Sequence, residues 1–328
     1  MSCDYQGNFL ESDEFYATLL HFLSILQAPM HIFGIYIILK KTPKSMEKVK
    51  FPILLLHLIT AWCDFFISIL STPVFLFPAT AGYVMGIMDY ILPTWLFCYI
   101  GFVSISLIGP SLTLLFENRY NFLVRKDSEC QSRKVKRILH ISLNIIFAFL
   151  IVYPPFQNHS AVPDFREILH QEFPCLPEKI VRHPRLYFMI ASTSTAFICL
   201  SFDLLLPTIQ VFFFFFSTTF HLYRNSKSRS SKTTKLQNQF FRAMCIQVCL
   251  PFTVIVVPGF YFVYIFATGY LNLAFNNLTV ILVTSHGAFS TIVMLIVHQP
   301  YRIATLQILK IRKIETPTFA STTHYISC

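Results

Sequence analysis

The sequence predicts an all-α membrane protein: a bundle of seven transmembrane helices, N-terminus extracellular and C-terminus cytoplasmic. Three observations carry this. Seven apolar runs are each long enough to cross a bilayer, which takes about twenty residues. The chain is 54% hydrophobic and only 13% charged, against about 25% charged in soluble domains, so it lacks a water-facing surface. The Lys and Arg residues also alternate between loops. Twenty-two fall on one face and four on the other, and the richer face is cytoplasmic by the positive-inside bias.

The runs are Tyr16–Leu39, Phe51–Phe77, Leu92–Phe116, Ile138–Phe156, Leu186–His221, Phe240–Phe266 and Asn272–His298. Residues 1–15 form an extracellular N-terminus, 16–300 the helical domain, and 301–328 a cytoplasmic amphipathic segment and tail. The first fifteen residues hold Asp4, Glu11, Asp13 and Glu14 but no Lys or Arg, which is not the pattern of a cleavable signal peptide. Pro29, Pro73, Pro110, Pro207, Pro251 and Pro258 lie inside the runs. Membrane helices accept proline where neighbours satisfy the freed carbonyls. The fifth run exceeds a bilayer's need, so it tilts or projects. From Tyr301 to Lys313, Ile303, Leu306 and Leu309 alternate with Arg302, Lys310, Arg312 and Lys313. That pattern suits a short helix lying on anionic inner-leaflet lipid. The tail beyond Lys313 is polar and reads as disordered.

Several function classes are disfavoured. The net charge of +10 is spread over short loops, not gathered on a basic domain, so no nucleic-acid partner is expected. Nine cysteines show no metal-ligand spacing, and neither metal nor other cofactor is expected. No hydrolase, zincin or P-loop pattern occurs, so there is no catalytic set and the chain does not read as an enzyme. No lysine lies between Lys235 and Lys310, which rules out a retinal Schiff base in the last helices. A solute transporter is the alternative reading. It predicts internal repeats that are not visible here.

Ionisable residues in apolar runs are the natural site candidates, because a charge in hydrocarbon is costly and must find a partner. Asp64 lies near the middle of the second run, where it should face the bundle and find a partner, or sit as a protonated packing residue. Asp203 lies four residues before Pro207 and is a candidate polar group in a ligand cavity. His21 and His286 lie toward the outer half and can touch a ligand, though a lone histidine in a bundle is more often a packing residue. At the cytoplasmic end of the third run stand Glu117, Arg119 and Tyr120, with either a switch role or an anchoring role. Asn158-His159-Ser160 is a glycosylation sequon in the fourth loop. Asn277-Leu278-Thr279 also matches, but lies within the last run.

Glu117-Asn118-Arg119-Tyr120 resembles the acid-Arg-Tyr motif of rhodopsin-like G-protein-coupled receptors, with Asn118 where the acid is expected. The fuller resemblance is to nematode serpentine chemoreceptors of class H (Srh). It rests on Thr42-Pro43-Lys44-Ser45-Met46, on Pro73, Pro78 and Ala81 to Gly86, and on Phe116 to Asn121. Pro174-Cys175-Leu176-Pro177, Gln237 to Arg242 and Gln299-Pro300-Tyr301-Arg302 complete it. The resemblance implies a chemosensory receptor in the plasma membrane of sensory neurons, in their cilia. It would signal to a heterotrimeric G protein. The mechanism expected from this is that a small molecule enters between the outer halves of helices three, five, six and seven, and that helix six, hinged near Pro251 and Pro258, swings out at its inner end. By likeness to rhodopsin-like receptors, Asp64 can hold sodium and relay activation. The same likeness implies a disulfide between Cys98 and Cys175, with Cys3 as a rival partner for Cys175.

Overall fold

The computed structural model describes residues 2–87, 91, 93–156, 165–188, 193–224 and 231–310. The Asn158 sequon and the tail after Lys313 lie outside the described residues. Helices dominate. They are α1 (Asp13–Lys41), α2 (Glu47–Phe65), α3 (Thr94–Ser106), α4 (Ile108–Val124), α5 (Gln131–Val152), α6 (Phe165–Glu172), α7 (Glu178–Val181), α8 (Thr193–Arg224), α9 (Ser231–Thr268), α10 (Leu273–Val297) and α11 (Gln299–Ile308). Among the described residues, six helical segments are long and apolar enough to cross a membrane: α1, α2 with its extension to Ser71, α3 with α4, α5, α8 and α10. The described apolar part of α9 is the shorter stretch Thr253–Thr268.

Side-chain distribution identifies the solvent. On α10, Phe275, Leu278, Leu282, Phe289, Ile292 and Ile296 are exposed, while Asn276, Thr284, His286, Ser290 and Thr291 are buried. The exposed set recurs at three- and four-residue intervals, one helical face. An apolar face outward and a polar face inward is the reverse of a soluble helix, and it suits a lipid surround. The five-phenylalanine run divides the same way. Phe212, Phe213 and Phe216 point outward, and Phe214 is buried.

Several predicted boundaries are corrected. The second run ends as helix at Phe65 and continues as one π-helical stretch, Phe66–Ser71. Thr72 then adopts φ 41°, and residues 73–76 leave the helix as strand β2. Proline at 73 cannot donate the next helical bond. The fifth run starts as strand at Tyr187–Phe188 (β4), not as helix. The third run breaks at Leu107, between α3 and α4. Pro110 explains this, since its ring meets the carbonyl four residues earlier, at Ser106. Helices α4 and α5 also extend into the polar loop beyond their apolar runs. Their buried or paired polar side chains, described below, carry them there.

The end of the bundle bearing the N-terminus is knitted by strands. Strand β1 (Ser2–Asp4) pairs in parallel with β5 (Tyr270–Asn272). Strands β2 (Pro73–Leu76) and β3 (Ala81–Val84) form a hairpin, and β4 adds to β3. Buried Tyr16 donates to the Pro73 carbonyl (2.7 Å), and Asn276 Nδ2 donates to the carbonyls of Phe75 and Phe77 (both 3.0 Å). The backbone of this end therefore has internal partners.

The expected Cys98–Cys175 disulfide is not formed. Cys175 pairs with Cys3, with Cα atoms 5.9 Å apart, and Cys98 is a free thiol. Cys98 sits more than one turn inside α3, whereas the β1–β5 pairing brings Cys3 to the loop that carries Cys175. A disulfide needs Cα atoms within about 7 Å.

Candidate functional site

Polar chemistry is concentrated at four levels along the bundle. At the N-terminal end, Tyr83 donates to Asp13 Oδ1 (2.8 Å) and stacks on the His183 ring at 4.1 Å. Burial, reinforced by Asp13, pushes the Tyr83 phenol above its ordinary value. Burial likewise lowers the His183 imidazole.

Below this lies a cavity of about 200 Å³ walled by α3, α4, α5, α8 and α9. Its lining is almost wholly apolar: Phe102, Ile105, Leu112, Leu204, Phe262 and similar side chains. Among the described lining residues only Asp203 is charged. Ser106 Oγ donates to Asp203 Oδ1. Both residues sit where proline disturbs a helix, Ser106 beside the α3–α4 break and Asp203 one turn before Pro207. Gly109 permits the close approach of α4 and α8, because a Cβ there would come within 2.6 Å of Pro207 Cγ. The cavity differs from the expected one in its walls. Helix α5 contributes Ile151 and Val152, and α10 contributes only Val283.

A third cluster lies between α1, α2 and α10. Asp64 is buried, with Oδ2 3.1 Å from His31 Nε2. The His57 ring nitrogens reach the His31 carbonyl (3.1 Å) and the Thr291 hydroxyl (3.3 Å). Gly287 lets α10 lie against this carboxylate, since a Cβ there would fall 2.3 Å from Asp64 Oδ2. His286 is buried here and does not line the cavity. His21 is exposed on α1, 3.4 Å from the Thr72 hydroxyl, and is also away from the cavity. Asn277 of the second sequon is buried, its amide donating to the Leu10 carbonyl.

The fourth level is the basic end. Glu117 is 2% exposed. It accepts from Arg133 Nη2 (2.9 Å) and from Arg137 Nε (2.8 Å to Oε2). Arg137 Nη2 also reaches Asn118 Oδ1 (2.8 Å), and Arg133 Nε reaches Asn121 Oδ1 (2.9 Å). Asn118 Nδ2 donates to the Lys48 carbonyl (2.9 Å). Lys48 Nζ in turn bonds Glu129 (2.6 Å), which holds that exposed carboxyl below its ordinary value. Arg119 lies on another face of α4. Two residues along a helix turn by about 200°, so Glu117 and Arg119 diverge. Arg119 is half-buried and within electrostatic reach of His298, at the end of α10. Tyr120 packs on Phe213 and Phe214 of α8.

Reading the sequence singled out Asp64, Asp203, Glu117, Arg119 and Tyr120, but the structure shows their neighbours. Ser106 and the arginine pair were not anticipated. The spacing of Arg133 and Arg137, four apart on one face, was the available signal. Nothing in the sequence joins His31 to Asp64.

Comparison with known proteins adds a second line. Residues 11–311 match the family described as serpentine type 7TM GPCR chemoreceptor Srh. The chain is also similar to Serpentine receptor class H-72 of Caenorhabditis elegans. The two are 24% identical over 304 residues, which cover 92% of this chain and 87% of that protein.

Proposed function

The chain belongs to the Srh family of serpentine seven-transmembrane chemoreceptors, and on that premise we propose that it is a chemosensory receptor coupled to a heterotrimeric G protein. The observation that carries the reading is the apolar cavity of about 200 Å³ with one carboxylate among its described lining, since apolar walls with few placed polar groups are the chemistry of a small-molecule site. In this reading α9 completes a seventh span, the N-terminus is outside and the basic end faces the cytoplasm. The ligand occupies the cavity beside Asp203. Binding favours one arrangement of α8 and α9 over another, with Pro207 and Pro258 as flexible points. Pro251, also expected to flex, has its side chain outside the described residues.

Arg119, Tyr120 and the Glu117 network form the end that meets the G protein. The Asp64–His31 cluster links cavity depth to that end through α2 and α10. Helix α11, with Tyr301 buried and accepting or donating a 2.9 Å bond with Thr42, rests against inner-leaflet lipid. The receptor works at the plasma membrane, in sensory cilia.

The test is a ligand screen on cells carrying the full chain and a G-protein reporter. Agonists should raise the signal in the wild type. Arg119→Ala, at matched surface expression, should keep ligand binding and lose the signal. Binding without any reporter response in the wild type would refute coupling. Uptake of labelled ligand would replace this reading with the transporter.

A further inference from the structure

We infer that the cavity beside Asp203 takes a small apolar amine bound as its ammonium ion. This rests on the reading that the cavity is the ligand site. Its volume of about 200 Å³ holds a molecule of roughly eight to ten non-hydrogen atoms at protein packing density. The walls are hydrocarbon and aromatic, so most of that molecule is apolar.

Its polar group is defined by what the walls lack. One carboxylate oxygen of Asp203, Oδ1, accepts from Ser106. Oδ2 has no hydrogen-bond partner among the described residues. The described lining holds no Lys, Arg or His. A carboxylate in such a place needs a cation or a donor, and the described residues supply only one hydroxyl. The complementary ligand group therefore donates, and a positive charge suits it best, because charge-assisted hydrogen bonds are about twice as strong as neutral ones. Aromatic rings, Phe102 and Phe262 among them, line the same cavity, and aromatic walls are compatible with a bound cation. Carboxylate ions bring a like charge and simple carbonyl compounds bring only acceptors, so both are disfavoured.

The geometry also explains why the carboxylate is available. Pro110 breaks the helix at Leu107 and leaves the Ser106 region turned toward α8. Gly109 then brings Pro207 against α4, which places Asp203 opposite Ser106.

The test uses the purified full-length receptor in lipid nanodiscs and three isosteric probes: 2-phenylethylamine, 2-phenylethanol and phenylacetic acid. Binding is read by thermal shift and by calorimetry, independently of any G protein. The amine should bind about tenfold or more tightly than the alcohol, and the acid should not bind. Asp203→Asn should remove the amine's advantage while leaving the alcohol's affinity within about twofold. An alcohol or acid that binds the wild type as tightly as the amine overturns the assignment. So does absence of amine binding, or an Asp203→Asn protein that keeps the amine preference. The ranking in the wild type stands as a test even where the variant fails to fold. Amine binding with no reporter response in cells supports the ligand class and counts against G-protein coupling alone.

Discussion

Glu117 is a nearly inaccessible carboxylate held by two arginines from the next helix. Arg133 and Arg137 are each 18% exposed in their side chains, so the pairs are shielded but not dry. Removing one partner leaves the other to carry the charge. Arg137→Ala should therefore cost about 1–2 kcal/mol, while the double Arg133→Ala/Arg137→Ala strands a buried charge and should cost about 3–5 kcal/mol. Adding Glu117→Ala to the double variant should restore part of that loss. Melting temperatures in one detergent across this set check the prediction, and simple additivity would refute it. Helix geometry keeps Glu117 and Arg119 apart, and the arginine pair engages Glu117 on its own face of α4. Their two-residue spacing was readable as opposite faces of a helix, but the arginines that occupy Glu117 come from the start of α5, whose packing against α4 no local pattern specifies.

At the scale of elements, the N-terminal segment behaves as part of the cap. Strand β1 is joined to β5 by hydrogen bonds and to the fourth loop by Cys3–Cys175, across 172 residues of sequence. The chain-entropy estimate for so long a loop is about 5 kcal/mol, but it assumes a free coil. Helices that remain inserted restrict the reduced chain already, so Cys3→Ser should cost about 1–2 kcal/mol. It should also open residues 5–12 to protease. Cys98→Ala should stay within about 1 kcal/mol and leave the protease pattern unchanged; the opposite ranking would restore the Cys98–Cys175 pairing.

The fourth loop adds a pH dependence. Burial, with a smaller contribution from Arg166, holds His183 below its ordinary value of 6.5. The unfolded chain then binds more protons there at acidic pH, so the contribution of His183 is full above pH 6.5 and is lost progressively below it. His183→Phe keeps a ring against Tyr83 and removes the titration. Between pH 7.5 and 5, thermal stability should fall less steeply in the variant than in the wild type. Equal slopes would mean His183 titrates no differently in the two states.

For the whole molecule, the loop charges and the outward phenylalanines make one statement about its surroundings. Apolar side chains face out because lipid is there to receive them, and basic residues gather at one end because one membrane face retains them. The orientation predicts that a tag at residue 2 is labelled on intact cells, whereas a tag after residue 310 is labelled only after permeabilisation. Labelling in the reverse pattern would invert the whole assignment, cavity included.

The helical, membrane-spanning character of the chain was legible without coordinates. Span length, proline positions and the Lys/Arg alternation follow from hydrophobic thickness and charge, which act locally along the chain. The charged and polar candidates were also visible, because an Asp, His or Arg in an apolar run is expensive wherever it sits. Folding supplied the pairings. Asp203 with Ser106, Asp64 with His31, Glu117 with two arginines and Cys175 with Cys3 join residues from 16 to 172 positions apart. Each depends on how helices rotate and cross when they pack. Rotation is decided by the summed fit of many side chains, a tertiary property that no short stretch of sequence contains.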